Sequence, residues 1–180
     1  RLTKVVQGLL DLSRADTGQI TLALEPLDLG SLVKSVIASI RVLADAKRVI
    51  VLPAIHPDVI VNGDDVRLHQ ALLNVIENAV KYTPDGGRVE VALTTTPTSA
   101  IITVTDSGAG IPEASLAQIF DRFYRVDQAR SQEVAGTGLG LSITRWIVDA
   151  HYGSISVSSD VGRGTTFTIT LPLYHVDATA

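Results

Sequence analysis

Hydrophobic residues return every three or four positions in four separate stretches of the chain, which is the spacing of amphipathic helices. These stretches are 2–12, 29–43, the segment between Asp64 and Pro84, and 139–151. Asp28 and Asp64 precede two of them as N-caps, and Gly18 and Gly153 follow the first and the last as stop signals. We therefore predict the tail of one helix at the start of the chain and three further helices.

Other segments are rich in Val, Ile and Thr or alternate between apolar and polar residues, which predicts β-strands. They cover 20–25, 49–52, 59–61, 88–96, 100–106, 154–159 and 165–173. Pro26 interrupts the first, which we interpret as an edge strand, and residues 97–99 join two of the others in a hairpin. Helices that alternate with a hairpin-rich sheet predict a two-layer α/β sandwich with the helices on one face.

Residues 107–138 separate the central hairpin from the last predicted helix and lack a regular pattern. Glycines stand at 108, 110, 136 and 138, around a short helical piece near 113–120. A loop of this length inside one domain is usually functional. We interpret it as a lid over a binding site.

Composition limits the classes of function. The chain has 180 residues and 46% hydrophobic content, enough for one well-buried domain with a short appendage. A net charge of -4 without any Lys/Arg block argues against a nucleic-acid or anionic-membrane partner. There is no cysteine, no apolar run that could cross a bilayer and no signal-peptide pattern. We expect a soluble chain that is a fragment of a longer protein.

One face of the third predicted helix carries polar side chains that a solvated face does not need. Asn74, Asn78 and Lys81 fall in one narrow sector, and Gln70 and Arg67 extend it. Asparagine is a poor helix former, so two of them four residues apart carry an energetic cost. The residues alone leave two interpretations open: an ordinary wet face, or amide oxygens and an ammonium that hold a hydrated divalent cation and phosphates.

Asp106 ends a predicted strand and leads into a glycine turn through Gly108 and Gly110. A carboxylate there can accept a hydrogen bond from the exocyclic amine of a base, and the glycines permit close approach of the backbone to a ligand. A turn-initiating aspartate fits the same residues. Both interpretations stay open at this point.

Two further segments favour phosphate binding. Residues 136–140, Gly-Thr-Gly-Leu-Gly, precede a helix whose N-terminus and free amides can bind an anion. The polar loop before them, 131–135, excludes a dinucleotide fingerprint, which follows a strand. Residues 120–125 interleave Arg122 and Arg125 with three aromatics, which suits either a phosphoryl clamp on the lid or a small hydrophobic knot with solvated arginines.

Five motifs now stand in one order, and together they resemble the catalytic domain of bacterial sensor histidine kinases. Residues 69–84 look like the N box, 106–110 like the G1 box, 120–124 like the F box, 136–140 like the G2 box, and 162–165 like the last glycine box. Residues 9–18 similarly resemble the end of the second helix of the family's dimerisation and phosphoacceptor hairpin. The resemblance implies the Bergerat ATP-binding fold, an α+β fold with a mixed, mostly antiparallel sheet.

The resemblance also implies roles for residues of this chain. Asn78 would be the principal Mg²⁺ ligand, with Asn74 beside it on the metal and its water shell, and Lys81 would meet the phosphates of ATP. Tyr82 would pack on the adenine side, and Asp106 would accept a hydrogen bond from the adenine amino group. The remaining residues are Gly108 and Gly110 beside the base, Gly136, Thr137, Gly138, Leu139 and Gly140 at the polyphosphate, Thr165 at a water near the base, and Arg122 and Arg125 at the γ-phosphate.

The residue at position 74 distinguishes this chain from other proteins that share the implied fold. Gyrase-like and chaperone relatives carry a glutamate general base there, and an amide cannot activate water as a carboxylate does. Asn74 therefore predicts slow ATP hydrolysis and retention of the γ-phosphoryl group for another acceptor. On the helical wheel Glu77 is expected to point elsewhere and to be a poor substitute.

The acceptor histidine of the family is missing from this sequence. It lies in a His-Glu-x-x-Thr-Pro-like context, which none of His56, His69, His151 and His175 has. We therefore expect no autophosphorylation by this chain alone, but transfer to a separately supplied hairpin.

The resemblance divides the chain into the hairpin-helix end at 1–18, a linker or edge strand at 19–28, and the catalytic domain at 29–180 with a lid at about 107–138. It implies three partners, namely the protein's own hairpin, a cognate response regulator and, for the full-length protein, a second copy, while this fragment can be monomeric. It also implies a cytoplasmic location for this part of a membrane-anchored protein. Two alternatives stay open: a serine kinase of the anti-sigma type, and a regulatory module that senses ATP without catalysis.

Overall fold

A computed structural model describes Leu10 and residues 20–126 and 137–174. Its helices are α1 (Leu29–Ser39), α2 (Arg41–Ala46), α3 (Asp65–Tyr82), α4 (Glu113–Leu116) and α5 (Gly140–Ala150). Its strands are β1 (Glu25–Asp28), β2 (Ile50–Ile55), β3 (Ile60–Gly63), β4 (Arg88–Thr95), β5 (Ser99–Asp106), β6 (Ser154–Asp160) and β7 (Gly164–Pro172). Some of the residues discussed above lie outside the described residues. They are Gly136, His175 and, except for Leu10, the hairpin-helix end. Leu10 itself is helical and exposed.

The main sheet has five strands in the order β2-β4-β5-β7-β6. β2 and β4 run parallel, and the other neighbouring strands pair antiparallel. β1 and β3 form a separate antiparallel pair, which a bridge between Val61 and Leu173 links to the end of β7. The predicted mixed, mostly antiparallel sheet is confirmed.

Alternation along the strands builds the core between the sheet and the helices. In β5, Ala100, Ile102 and Val104 are buried while the residues between them are half-buried. The buried side chains pack with the apolar stripes of α1, α3 and α5, and each fully buried Val, Leu or Ile contributes about 1.5–3 kcal/mol. The prediction of two layers with helices on one face is confirmed. Asp106 is the next inward position of β5, so the strand period carries its carboxyl to the helix side.

Both predicted N-caps are confirmed. Asp28 Oδ1 accepts hydrogen bonds from the backbone N–H groups of Gly30 and Ser31 at the start of α1. A hydrogen bond from the Ser31 hydroxyl, with these backbone bonds, lowers the pKa of Asp28. Asp64 Oδ1 accepts from the N–H of Arg67 in the first turn of α3. The start of the helix that carries the asparagines is therefore fixed by local sequence.

The first predicted strand and the helix predicted over 29–43 have the wrong boundaries. Residues 20–24 are not a strand, because the segment that finds a partner is Glu25–Asp28, which pairs with β3 and contains Pro26. Both strands of this small sheet are edge strands, where a proline is tolerated. The helix predicted over 29–43 is split at Ile40 into α1 and α2. The hydroxyl of Ser39 donates to the Ser35 carbonyl, a contact that competes with the helical ladder at this break.

The helical piece predicted near 113–120 is shorter, and only α4 is helical there. Within 20–126 and 137–174, no helix combines the length and the apolar character that a membrane crossing needs.

Candidate functional site

The three polar residues on α3 lie half-buried where the helix faces the glycine loop and α5. The Nδ2 of Asn74 donates to the Gly140 carbonyl at 3.1 Å and lies 3.4 Å from the hydroxyl of Thr144. Thr144 in turn donates to the same carbonyl at 2.9 Å. The first turn of α5 is therefore tied to the middle of α3, and the end of the glycine loop is held beside the asparagines.

Asn78 and Lys81 complete this face of α3. Asn78 is half-buried, and within the part of the chain that the structure describes its amide makes no hydrogen bond. The Nζ of Lys81 lies 2.7 Å from Oε1 of Glu77, with both side chains about a quarter to a third exposed. The expectation that Glu77 points away from the polar face is wrong, since one helical turn brings its carboxylate to Lys81.

Asp106 is a buried carboxyl at the end of β5, with 6% of its surface exposed. Its Oδ1 accepts a hydrogen bond from the N–H of Gly108 at 2.8 Å. Burial raises the pKa of Asp106, because desolvation disfavours the charged form, while hydrogen bonds from the backbone of Gly108 and Thr165 oppose the rise. One oxygen closes the turn, so the turn interpretation is confirmed, while a role of the buried carboxyl as acceptor for a base stays a prediction.

Thr165 stands opposite Asp106 in the ladder between β5 and β7. Its Oγ1 is 2.9 Å from Oγ of Ser159, which accepts from the N–H of Ile111 and donates to the Gly164 carbonyl, each at 2.8 Å. Sequence reasoning did not select Ser159, because nothing in its local sequence distinguishes it from the other serines of β6. An open depression of about 680 Å³ lies beside these residues, and its lining includes Asp106, Ser159 and Thr165 but no residue of α3 or of the glycine loop.

Gly108 joins the end of α3 to the Asp106 turn. A Cβ at this position would lie 2.7 Å from the Tyr82 carbonyl oxygen and 2.6 Å from Oδ1 of Asp106. Any side chain would therefore push the turn away from the helix. The ring of Tyr82 itself is exposed, at the last residue of α3.

The segment with the two arginines lies between the sheet and the glycine loop. Phe120 packs edge-on against Phe167 with ring centroids 6.5 Å apart, and the guanidinium of Arg145 lies 5.5 Å from the Phe120 ring. Tyr124 packs against the core, whereas Phe123 is 54% exposed. Of the three aromatics expected to fix this segment, Phe120 and Tyr124 do so and Phe123 does not. Arg145 was not selected from the sequence, since only tertiary packing brings it to the ring.

Gly138 holds the same segment from the other side. Its carbonyl accepts a hydrogen bond from the N–H of Phe123 at 2.8 Å. It has φ +71°, and a Cβ there would come within 2.7 Å of the Phe123 backbone. The glycine therefore allows the loop that precedes α5 to touch the stretch with Arg122 and Arg125.

Two other residues of the glycine loop have defined positions. The N–H of Leu139 lies 3.3 Å from the hydroxyl of Thr137, and the Leu139 side chain is buried in the core. The structure thus brings Asn74 to Gly140 at the end of the glycine loop, and Asn78 and Lys81 follow Asn74 along α3. Asp106 and Gly108 lie at the C-terminal end of that helix.

The arrangement is that of a nucleotide site. Among the described residues it combines a half-buried amide without a hydrogen-bond partner, a buried carboxyl at a glycine turn, and a glycine loop at a helix N-terminus. These features are those of a nucleotide-binding domain built on a two-layer α/β fold.

Comparison with known proteins identifies the family. Residues 63–175 match the family model described as "Histidine kinase-, DNA gyrase B-, and HSP90-like ATPase". The sensor histidine kinase TmoS of Ectopseudomonas mendocina is 39% identical over 96% of this chain, and RppB of Synechocystis is 46% identical over 63% of it. The chain spans 18% and 25% of the length of these two curated relatives.

Solved structures agree with these relatives. Full-length ShkA, in a complex with AMPPNP, superposes on 98% of this chain with a TM-score of 0.86 and 29% identity, and this chain covers 37% of it. A mycobacterial sensor histidine kinase, MprB, covers 86% of this chain with a TM-score of 0.75 and 31% identity, and all of that chain is matched. The chain belongs to the histidine kinase-, DNA gyrase B- and HSP90-like ATPase family, and within it to the sensor histidine kinases.

Proposed function

We propose that this chain is the catalytic domain that binds ATP with Mg²⁺ and transfers the γ-phosphoryl group to a histidine on a dimerisation hairpin. The observation that carries the proposal is the buried carboxyl of Asp106, which lies at the end of β5 beside the C-terminus of the helix with Asn74, Asn78 and Lys81. If the base of a nucleotide binds at Asp106, the phosphates of that nucleotide can extend along this helix.

The residues present fit ATP and its metal. Asn78 offers an amide oxygen to which no described residue forms a hydrogen bond, and oxygen ligands are those that Mg²⁺ prefers. In the proposal Asn78 binds the metal, and Asn74 lies near the water molecules around it. Lys81 leaves its partner Glu77 and binds the phosphates instead. When bound, Mg²⁺ would neutralise charge on the phosphate oxygens. Gly136, Thr137, Gly138, Leu139 and Gly140 surround the polyphosphate.

At the base, Asp106 accepts from the exocyclic amine of adenine, which guanine lacks at that position. Gly108 and Gly110 leave room beside the ring, Tyr82 packs against it, and Thr165 holds a water. Support comes from the position of Asp106, whose second oxygen is not used by the Gly108 turn. A buried acceptor that lacks its donor is costly, so the site discriminates against bases that cannot donate there.

Phosphoryl transfer needs mainly positioning and charge neutralisation from the protein. The acceptor ring nitrogen forms a bond to the γ-phosphorus, the bond from that phosphorus to the bridging oxygen breaks, and ADP leaves with the electron pair. Arg122 and Arg125 lie on the segment that touches the glycine loop, where their charges can stabilise the transferring group.

Slow hydrolysis is part of the proposal. Position 74 carries an amide whose N–H group is bonded to Gly140, so it offers no base to a water. The γ-phosphoryl group is therefore kept for the histidine acceptor.

The remaining parts of the proposal concern the whole protein. Residues 1–18 end the hairpin helix, 19–28 link it to the catalytic domain, and the phosphoryl group passes from the hairpin histidine to an aspartate of a response regulator. The full-length protein is a homodimer anchored in a membrane, with this part in the cytoplasm. Support comes from the curated relatives, which are named as sensor histidine kinases and extend well beyond this chain.

A mixing experiment tests the function. The chain is incubated with γ-labelled ATP, Mg²⁺ and a separately purified hairpin, and label on the hairpin is expected to be labile in acid and stable in base, as phosphohistidine is. A hairpin with its acceptor histidine replaced by glutamine is the control. Acid-stable label on a hydroxyl would indicate a serine kinase. ATP binding without any transfer would indicate a regulatory module.

A further inference from the structure

The C-terminus of α3 has a local cap, Thr83, at one carbonyl. Its last four carbonyls, Ala79 to Tyr82, have no partner within the helix. Pro84 follows Thr83, and because proline has no N–H it cannot donate a hydrogen bond back to these carbonyls. The Ala79 carbonyl accepts hydrogen bonds from both the N–H and the hydroxyl of Thr83, at 3.1 and 2.7 Å. The next carbonyls need a donor from elsewhere in the chain.

Lys47 supplies that donor from the end of α2. Its Nζ lies 3.1 Å from the Val80 carbonyl oxygen, 2.6 Å from that of Lys81 and 2.6 Å from that of Thr83. An ammonium has three N–H groups, so all of them are used. Its charge also opposes the negative end of the helix dipole.

The same end of α3 forms part of the nucleotide site. Lys81 and Tyr82 are its last two residues, and the Tyr82 carbonyl touches Gly108 in the Asp106 turn. Lys47 holds the carbonyls on either side of Tyr82, at Lys81 and Thr83. Displacement of this end would move Lys81 away from the phosphates and the Asp106 turn away from the base.

We propose that Lys47 is a positioning residue of the ATP site, which acts by fixing the last turn of α3 against the Asp106 turn. This inference rests on the proposed function and adds a residue that lies outside all five sequence motifs. Lys47 touches no ligand in the proposal. It fixes the relative positions of Lys81, which binds the phosphates in the proposal, and of Asp106, which binds the base.

The backbone around Lys47 strengthens this connection. The Lys47 carbonyl accepts from the N–H of Gly86 at 3.2 Å, so the turn after α3 is bonded to the same residue that caps the helix. Next to it, Arg48 pairs with Asp85 at 3.0 Å through side chains that are mostly exposed. Arg48 is therefore a matched control: it is a neighbouring cation at the same corner, but within the described residues its side chain bonds to Asp85 and not to the carbonyls of α3.

The test compares Lys47→Met and Lys47→Gln with Arg48→Met in the full 180-residue chain. We expect each Lys47 variant to raise the Kd for Mg–ATP about tenfold, the order expected for losing hydrogen bonds from a charged group. The transfer rate to the supplied hairpin at saturating ATP should change less than about threefold, because Lys47 touches no reacting atom. Arg48→Met should leave Kd within about twofold of the parent.

Hydrogen exchange separates positioning from a general loss of stability. In the nucleotide-free variants, the amide of Thr83 should exchange faster while that of Ile102 in the central strand keeps its protection. If Lys47→Met does not fold, the same readouts on Lys47→Gln decide the question. A parent-like Kd in a folded Lys47 variant, or a loss of protection that is equal at Thr83 and Ile102, would overturn the inference. Failure of the parent chain to bind Mg–ATP would instead overturn the proposed function.

Discussion

At the scale of single residues, the binding role proposed for Asp106 comes with a cost to the folded state. Its carboxyl is buried, and the desolvation that raises its pKa makes the ionised form unfavourable in the folded protein. A ligand that donates a hydrogen bond to the ionised form recovers part of this cost. The residue is therefore expected to favour binding more than stability.

We predict that Asp106→Asn changes stability and binding in opposite directions as the pH rises. The folded pKa lies above the unfolded one, so the contribution of Asp106 to stability is fully present below its ordinary pKa and is lost as the pH rises through the raised value. The melting temperature of the variant relative to the parent should therefore increase between about pH 4 and pH 7. Affinity for ATP should fall about tenfold to a hundredfold at pH 7, because the acceptor becomes an amide.

Thermal unfolding of both proteins without nucleotide, followed by ATP and GTP titrations, measures these effects. A difference in melting temperature that does not vary with pH would contradict the burial argument. Equal affinity of the parent for ATP and GTP would contradict the role of Asp106 at the base.

At the scale of elements, hydrogen bonds join α3 and α5 at two places. Asn74 joins the middle of α3 to the start of α5. His151, just past α5, joins its end to the start of α3: Nε2 accepts from the N–H of Asp64 at 2.9 Å, and Nδ1 lies 2.7 Å from the Ile147 carbonyl oxygen. Because Asp64 N–H must donate, Nδ1 carries the proton and donates to Ile147. The ring is 2% exposed, so neither contact can be replaced by bulk water.

We predict that His151→Ala lowers the free energy of unfolding by about 2–4 kcal/mol, since it leaves a buried N–H unpaired and opens a cavity. For a domain of this size the melting temperature should fall by roughly 5–15 °C. His151→Gln is the matched control, because its amide oxygen can accept from Asp64, and it should lose less than half as much. Chemical denaturation measures both variants, and equal losses would show that the hydrogen bond to Asp64 is not the cause.

At the scale of the whole molecule, the nucleotide site is assembled from segments that are distant in sequence. Ligand binding should therefore stabilise the complete domain rather than one loop. Asn78 is a suitable residue for testing this, because within the described chain its amide makes no hydrogen bond that the substitution would remove.

We predict that Mg–ATP at about 100 times its Kd stabilises the parent by about 2.7 kcal/mol and raises its melting temperature by roughly 5–10 °C. Asn78→Ala should keep the melting temperature of the free protein or raise it slightly, since alanine is the better helix former. It should lose the part of the shift that depends on Mg²⁺. Differential scanning calorimetry with Mg²⁺ and with EDTA separates the two parts, and an unchanged shift would remove the metal role of Asn78.

The sequence by itself determined the parts of this protein that depend on local pattern. The pattern of β5 was enough to place Asp106 at the end of a strand, and the capping residues Asp28 and Asp64 were enough to start α1 and α3. Each of these follows from residues that are close together along the chain. The glycine and asparagine motifs are local as well, and their order was enough to indicate the family.

Only the tertiary structure decided which distant residues meet. Asn74 bonds to Gly140 66 positions away, Lys47 to Thr83 36 positions away, and Asp64 to His151 87 positions away. The strand at Glu25–Asp28 likewise exists because β3 is beside it, although the alternation favoured 20–25. Such contacts depend on how the elements pack, and packing is determined by the whole core rather than by the neighbours of any one residue.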